Sequence, residues 1–153
     1  MAERARESVI IGILHGPNLN LLGTREPHLY GTATLDDITA SLTRVAADLG
    51  VELRVAQSNS EGTLIDIVHE WRGLVRGVVV NAGAYAHTSL ALRDAFAATS
   101  LPFVEIHLSN VYAREAERHH SMLAGAAIGT VTGLGAQGYE FALRGLVSAL
   151  RQR

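Results

Sequence analysis

Residues 9–14 read VIIGIL, and residues 15–20, directly after them, read HGPNLN. The first stretch is short, apolar and rich in β-branched residues, and it lacks the polar alternation of a strand with one face in water. Such a run is typical of a strand that is buried on both faces of a parallel sheet. The second stretch combines glycine, proline and asparagine, so the polar loop begins at His15.

Four further apolar runs follow, with helical patterns between them. The predicted strands are residues 9–14, 51–56, 78–80, 103–108 and 128–132, and the predicted helices are residues 34–49, 60–71, 88–99 and 139–150. Thr34 with Asp37 resembles a helix N-cap, Gly50 a helix end, and Ser60 a second N-cap. Alternating strands and helices indicate an α/β fold, with five parallel strands and helices on both faces. No repeat, linker or low-complexity segment interrupts the pattern. We therefore expect one domain over residues 1–153, with residues 1–7 as a flexible N-terminal extension.

The composition excludes several kinds of chemistry. All 13 residues counted as lysine or arginine are arginines, and the chain has no cysteine. Schiff-base enzymes, pyridoxal phosphate enzymes and Walker P-loops need a lysine, while disulfides, thiolate metal sites and thiol nucleophiles need cysteine. The net charge of −2 offers no basic stripe for nucleic acid. No signal peptide or membrane-length apolar stretch is found, so we expect a cytoplasmic protein without a membrane partner.

Polar residues cluster where the predicted strands end, which is where ligands bind in open α/β sheets. The clusters are residues 15–20, 57–62, 81–89, 105–110 and 133–138. Each alone is more typical of turns and helix caps, but five at one sheet edge favour a binding site. Glu105 and His107 are two positions apart on one strand, so both side chains point to the same face. They are either a core histidine satisfied by a carboxylate or a general acid–base pair.

Residues 23–31, GTREPHLYG, form a glycine-flanked loop of the kind that makes active-site lids. A tyrosine serves as a base near pH 7 only if a nearby cation stabilises its phenolate. Arg25 and Tyr30 have the chemistry for such a pair, although on spacing alone an exposed turn with an incidental tyrosine is the better explanation.

Three other patterns are weaker. The Gly133-x-Gly-x-x-Gly138 stretch follows the last strand, with no second βαβ unit to complete a dinucleotide site, so we interpret it as tight-turn glycines. His119 and His120 are adjacent and lack a carboxylate at ligand spacing, so no metal site is expected. No Gly-x-Ser-x-Gly turn supports a hydrolase triad.

Five segments together resemble the type II 3-dehydroquinate dehydratases, or type II dehydroquinases, from about residue 9 to residue 150. They are HGPNLNLLGTREPHLYG (15–31), QSNSEG (57–62), NAGAYAHTSLALRD (81–94), EIHLSNVYARE (105–115) and GLGAQGYEFAL (133–143). The resemblance implies a flavodoxin-like three-layer sandwich and a homododecamer built from trimers. It also implies a lyase of the shikimate pathway, which leads to chorismate and the aromatic amino acids. Such an enzyme dehydrates 3-dehydroquinate to 3-dehydroshikimate by anti elimination through an enolate, with no cofactor or metal.

The same resemblance implies roles for individual residues. Tyr30 matches the base, Arg25 the lid arginine that keeps it ionised, and Asn18 the group that stabilises the enolate. His107 matches the general acid, which Glu105 orients. Arg114 matches a second lid arginine, and Asp94 a residue that reaches a neighbouring subunit's site. The remaining matches hold the substrate's carboxylate and hydroxyls: Asn81, His87, Leu108 through its backbone, Ser109 and Arg118.

The chain departs from the family pattern at Tyr112, Glu117 and Met122, none of which matches a catalytic position. The alternative from another class is a flavodoxin-like module without catalysis that carries a flavin or a phosphoryl group. A signalling receiver normally needs a lysine and an acidic cluster after its first strand, where this chain has His15 and Gly16.

Overall fold

The computed structural model describes residues 7–24 and 26–153. The proposed N-terminal extension and Arg25 therefore fall outside the described residues, apart from Glu7. Five strands form one sheet: β1 (Ile10–His15), β2 (Glu52–Gln57), β3 (Gly77–Asn81), β4 (Phe103–His107) and β5 (Gly129–Thr132). Every pairing is parallel and the strand order is β2-β1-β3-β4-β5. The five predicted strands are confirmed, each to within one residue at either end.

The helices are α1 (Pro27–Tyr30), α2 (Leu35–Leu49), α3 (Glu61–Trp71), α4 (Leu90–Thr99) and α5 (Gln137–Arg151). The capping predictions are confirmed, since the Thr34 hydroxyl accepts from the Asp37 amide at 3.1 Å and Asp37 accepts from the Thr34 amide at 3.0 Å. Ser60 caps α3 in the same way. The helix expected from residue 88 begins at Leu90 instead, because the Ser89 hydroxyl accepts from the Leu92 amide and ends the preceding Gly83–His87 3-10 turn.

Two helical layers cover the sheet, as the apolar strands require. Side chains from one face, including Ile11, Ile13 and Ile106, pack against α2 and α5. Side chains from the other face, including Leu14 and Val80, pack against α3 and α4. The chain is thus a three-layer α/β sandwich with the strand order of the flavodoxin-like folds. No helix in the part of the chain described by the structure is long and apolar enough to cross a bilayer.

The sheet collects its buried polar groups at one edge. His15 ends β1, Asn81 ends β3, and these two residues are register partners. Glu105 and His107 lie at the end of β4. These four side chains are between 0% and 8% exposed, which is rare for such groups unless they are paired. The carboxyl edge of β1, β3 and β4 is therefore the candidate position of a functional site.

Candidate active site

A cleft of about 50 Å³ opens at the carboxyl ends of β1, β3 and β4. It brings together most of the residues predicted from the sequence. Its lining includes Asn18, Tyr30, Asn81, His87, His107, Leu108, Ser109, Arg114 and Arg118. Segments far apart in the chain converge here because parallel strands end on the same side of the sheet.

Two of the predicted residues that the structure describes are not in this lining. Glu105 is buried behind His107 and borders a separate small cavity. Asp94 is exposed on α4 and does not line the cleft of its own chain. Arg25 lies outside the described residues, so its expected place on the lid stays a prediction.

Glu105 and His107 stand side by side, as their spacing on β4 predicts. Glu105 Oε1 lies 3.3 Å from His107 Nε2. The other oxygen, Oε2, accepts a hydrogen bond of 2.5 Å from the Ser121 hydroxyl. The Ser121 oxygen itself accepts from the backbone amides of Leu123 and Ala124, so its own proton is directed at Glu105. The buried carboxylate is therefore held between Ser121 and His107.

His87 lies against the other side of His107. The two rings stack with centroids 5.7 Å apart and an interplanar angle of 18°. His87 Nδ1 lies 2.8 Å from the carbonyl oxygen of His120, which can only accept, so Nδ1 carries a proton. Burial is the largest effect and lowers the pKa of His87 below its ordinary value, although the hydrogen bond to the His120 carbonyl raises it in part. His87 is therefore neutral at pH 7.

Tyr30 reaches the cleft from α1, a four-residue helix that begins with Pro27 and ends at Gly31. Arg114 Nη1 donates a hydrogen bond of 2.8 Å to the Tyr30 hydroxyl oxygen. The guanidinium carbon also lies 5.5 Å from the centre of the Tyr30 ring. The family resemblance matches both Arg25 and Arg114 to lid arginines; the structure shows Arg114 in contact with Tyr30, and Arg25 lies outside the described residues. Spacing offered no sign of the Arg114 contact, since Arg114 and Tyr30 are 84 positions apart.

A second arginine, Arg118, is oriented by an acidic neighbour. Its Nε donates a hydrogen bond to Glu115 Oε1. That hydrogen bond raises the pKa of Arg118 above its ordinary value. Arg118 is only partly buried and lines the cleft, so it offers a fixed positive charge to an anion there.

Asn18 has a left-handed backbone conformation, with φ of 67°. Asparagine tolerates this region better than most residues. The Asn18 amide donates to Asn59 Oδ1 at 3.0 Å, and Gln57 Nε2 donates to the same oxygen at 3.1 Å. The loop after β2 therefore supports Asn18 from behind, while Asn18 itself lines the cleft.

Asn81 is joined to two residues that sequence reasoning did not assign to the site. Its Nδ2 donates to the Tyr139 hydroxyl oxygen at 3.1 Å, and that hydroxyl lies 2.8 Å from His15 Nδ1. Burial lowers the pKa of His15 to about 4 and raises the pKa of Tyr139. An aromatic residue at the start of an amphipathic helix is usually part of the core, so nothing in the sequence marked Tyr139.

A larger groove of about 560 Å³ adjoins the cleft on the far side of Tyr30 and Arg114. Both spaces share Tyr30, Leu108, Ser109 and Arg114. The cleft alone has room for only a few water molecules. The groove is the larger open space beside the cleft.

The adjacent histidines and the glycine stretch after β5 make contacts that are typical of structural residues. His119 Nε2 lies 2.7 Å from the Arg114 carbonyl oxygen, and the His120 carbonyl faces His87. No cluster of three metal-ligating residues occurs among residues 7–24 and 26–153. Gly133 has φ of 87° and packs against Asn110, as expected for a tight-turn glycine.

The fold and the cleft define a flavodoxin-like α/β protein with paired acid–base groups and fixed positive charge at a topological switch point. The sequence comparisons identify the family. The dehydroquinase class II family model matches residues 9–147. The chain is 74% identical over 142 residues to a 3-dehydroquinate dehydratase of Gemmatimonas aurantiaca, covering 93% of both chains. It is 57% identical over 142 residues to a 3-dehydroquinate dehydratase of a Jannaschia species, covering 93% of this chain and 96% of the relative.

Comparison with solved structures identifies the same family. The type II dehydroquinase of Propionibacterium acnes superposes with a TM-score of 0.87 at 41% identity, covering 92% of this chain and 97% of that one. The Butyrivibrio crossotus type II dehydroquinase gives a TM-score of 0.88 at 36% identity, covering 92% and 98%. The chain therefore belongs to the class II dehydroquinase family, and it is a hydro-lyase of the 3-dehydroquinate dehydratase type.

Proposed function

We propose that this protein dehydrates 3-dehydroquinate to 3-dehydroshikimate by anti elimination through an enolate, as a step of the shikimate pathway toward chorismate. One observation carries the mechanism: Tyr30, hydrogen-bonded to Arg114, and His107, beside the buried Glu105, line the same cleft. Loss of water from a β-hydroxy ketone needs a base at the α carbon and an acid at the leaving hydroxyl. The two pairs supply these groups.

Tyr30 is the proposed base. It acts as a phenolate, and the Arg114 guanidinium, 2.8 Å from its oxygen, stabilises that negative charge. The phenolate takes the proton from the carbon next to the ketone, and the electron pair of that C–H bond moves into the enolate. Arg25 is a second proposed stabiliser from the lid.

His107 is the proposed acid. Its Nε2 faces Glu105, which leaves Nδ1 as the nitrogen that can reach a molecule in the cleft. The buried carboxylate beside the imidazole fixes the orientation of the ring. His107 gives its proton to the departing hydroxyl, so the products are water and the conjugated enone. The reaction is redox-neutral and requires no electron carrier.

The remaining residues hold the charges. Asn18 is proposed to stabilise the enolate oxygen. Arg118 offers a fixed cation for the substrate carboxylate, and Asn81, His87, Ser109 and the Leu108 backbone offer hydrogen bonds to its oxygens. The chain contains no lysine, so an imine intermediate is not available and the enolate is the remaining route.

The direct test is an ultraviolet assay for the conjugated enone acid. Purified protein, without added metal or nucleotide, should generate this absorbance from 3-dehydroquinate. The Tyr30→Phe variant should lose at least about 100-fold in kcat, because general base catalysis of this kind contributes that much. Binding of the substrate should be largely retained.

Tyr112→Phe is the matched control, since it deletes the same hydroxyl from a side chain that is 64% exposed. It should have the wild-type rate. A wild-type preparation that gives no absorbance above a buffer blank would exclude the reaction. A Tyr30→Phe enzyme with the wild-type kcat would exclude Tyr30 as the base.

A further inference from the structure

A series of buried polar groups runs behind the cleft and has no part in the proton transfers. The Gly83 amide donates to Asn81 Oδ1 at 3.2 Å, and Asn81 Nδ2 donates to the Tyr139 hydroxyl at 3.1 Å. The Tyr139 hydroxyl lies 2.8 Å from His15 Nδ1. Asn81, Tyr139 and His15 are 3%, 1% and 0% exposed. Groups buried this deeply stabilise the fold only when their donors meet acceptors.

The chemistry of each group sets the direction of this series. A backbone N–H can only donate, so the Asn81 atom that faces Gly83 is the oxygen, and Nδ2 must face Tyr139. Nδ2 can also only donate, so the Tyr139 oxygen accepts. The Tyr139 proton is then free for His15 Nδ1, which accepts it if the imidazole is neutral and protonated at Nε2.

The opposite histidine tautomer fits less well. If Nδ1 carried the proton, it would donate to Tyr139, and the hydroxyl proton of Tyr139 would lose its acceptor. His15 Nε2 has no hydrogen-bond partner among the described residues in either case. The first arrangement therefore leaves one buried group unsatisfied and the second leaves two, and each unsatisfied buried group is unfavourable. Burial also lowers the pKa of His15 to about 4, which keeps the ring neutral at pH 7.

We propose that Tyr139 and His15 are positioning residues that orient the Asn81 amide so that its second N–H, and not its oxygen, faces the substrate. Asn81 lines the cleft, and the Nδ2 proton that does not bond Tyr139 is the one available to a ligand. The group bound there must then be an acceptor, such as a carboxylate, ketone or hydroxyl oxygen. This inference rests on the proposed function insofar as Asn81 is taken to contact 3-dehydroquinate.

Steady-state kinetics of Tyr139→Phe test the positioning role. The variant removes the hydroxyl oxygen that holds Nδ2 and keeps the ring in the core. A less well oriented Asn81 should raise KM by about three- to tenfold and change kcat by less than about twofold, as expected for a lost interaction that is equal in ground and transition states. Tyr112→Phe, on the surface, should change neither value. An unchanged KM in folded Tyr139→Phe would overturn the proposal.

A double-mutant cycle distinguishes positioning from a general loss of packing. Asn81→Ala should raise KM by itself, and adding Tyr139→Phe to it should raise KM no further, because the amide that Tyr139 orients is already gone. Full additivity of the two effects would show that Tyr139 acts independently of Asn81.

The proton positions on His15 and Tyr139 can be determined directly by diffraction. Neutron diffraction from deuterium-exchanged crystals should show deuterium on His15 Nε2 and on the Tyr139 oxygen pointing to His15. Deuterium on Nδ1 would overturn the proposal.

Kinetics of two His15 variants test the acceptor at Nδ1. His15→Leu removes the acceptor and should raise KM as Tyr139→Phe does. His15→Asn should have a KM close to that of the wild type, because its side-chain oxygen can take the place of Nδ1.

These results separate the two proposals. If the wild-type protein fails to dehydrate 3-dehydroquinate, the proposed function is wrong, whatever neutron diffraction shows at His15. If the wild-type protein is active and Tyr139→Phe has the wild-type KM, only the positioning role is wrong.

Discussion

One buried residue, His15, makes the free energy of unfolding depend on pH. The side chain is fully buried at the end of β1, and burial alone lowers its pKa to about 4. In the unfolded chain a histidine has a pKa near 6.5. Between these values the unfolded chain binds a proton that the folded chain does not, so stability falls as the pH drops below about 6.5 and levels off below about 4.

Replacing His15 with asparagine should remove much of this dependence. From the two pKa values, His15 should cost the wild-type protein on the order of 2 kcal/mol of stability between pH 7.5 and pH 5. Urea unfolding at both pH values measures the difference, and the loss should be smaller in His15→Asn by about that amount. His69→Asn, a change of the same kind on the exposed side of α3, should retain the wild-type dependence. Equal losses in wild type and His15→Asn would contradict a neutral buried His15.

Contacts between single residues were predictable from the sequence only where they are local. Glu105 and His107 lie side by side because a strand repeats every two residues, and their spacing was enough to predict it. The Ser121 contact to Glu105 and the Tyr139 contact to Asn81 join residues 16 and 58 positions apart. Such contacts depend on the path of the whole chain, which spacing does not describe.

At the scale of elements, the lid is defined by its ends. α1 is a four-residue helix that follows Glu26, with φ of 38°, and ends at Gly31, with φ of 79°. A Cβ at Gly31 would meet no atom within 4 Å, so only the backbone conformation requires glycine there. Gly50 at the end of α2 has φ of 70° and equally open surroundings. Gly50, at the end of α2, can therefore serve as the control position for Gly31, which lies beside Tyr30.

Gly31→Ala and Gly50→Ala should therefore separate lid geometry from stability. Gly50→Ala should lower the free energy of unfolding by about 1–2 kcal/mol, the cost of a left-handed conformation. Gly31, with ψ of −172°, has a conformation that essentially only glycine adopts, so Gly31→Ala should lower it by about 1–3 kcal/mol. Only Gly31→Ala should also lower kcat, by about tenfold or more, because a small displacement of Tyr30 misplaces the base. Urea unfolding and the enone assay measure the two effects. Equal kcat values for both variants would mean that Gly31 does not set the position of Tyr30.

Helix ends with a side-chain cap were predictable, and those without one were not. The Thr34–Asp37 pair was identified from its spacing because a capping box is entirely local. The 3-10 turn at Gly83–His87 was not predicted, since the stretch GAYAH has neither an apolar face nor a cap. α5 begins at Gln137, two residues before the expected start, after an N-cap residue, Ala136, whose side chain makes no capping hydrogen bond.

At the scale of the whole molecule, the strand order decides which loops form the cleft. β1, β3 and β4 are neighbours, so their carboxyl ends supply the cleft residues. β2 is at the edge, and its loop supports Asn18 through Asn59 and does not itself line the cleft. The polar clusters predicted a site at this edge. Periodicity contained no information on strand order, which came only from the family resemblance.

Asp94 is predicted to connect the site to assembly. It is exposed on α4 and absent from the lining of its own cleft, which accords with the proposed role in a neighbouring subunit's site within a dodecamer of trimers. If so, Asp94→Ala and Tyr30→Phe damage different halves of a shared site. Each variant alone should be impaired in the enone assay, and light scattering should show the same assembly for both.

Mixed assemblies of the two variants should then regain activity. When Asp94→Ala and Tyr30→Phe chains are unfolded, mixed in equal amounts and refolded together, some sites combine an intact Tyr30 from one chain with an intact Asp94 from its neighbour. With random mixing and one donor per site, about a quarter of the sites should be complete, giving about a quarter of the wild-type specific activity. The variants refolded separately and then pooled are the control and should stay inactive. A co-refolded mixture no more active than this pool would show that Asp94 does not complete a neighbour's site.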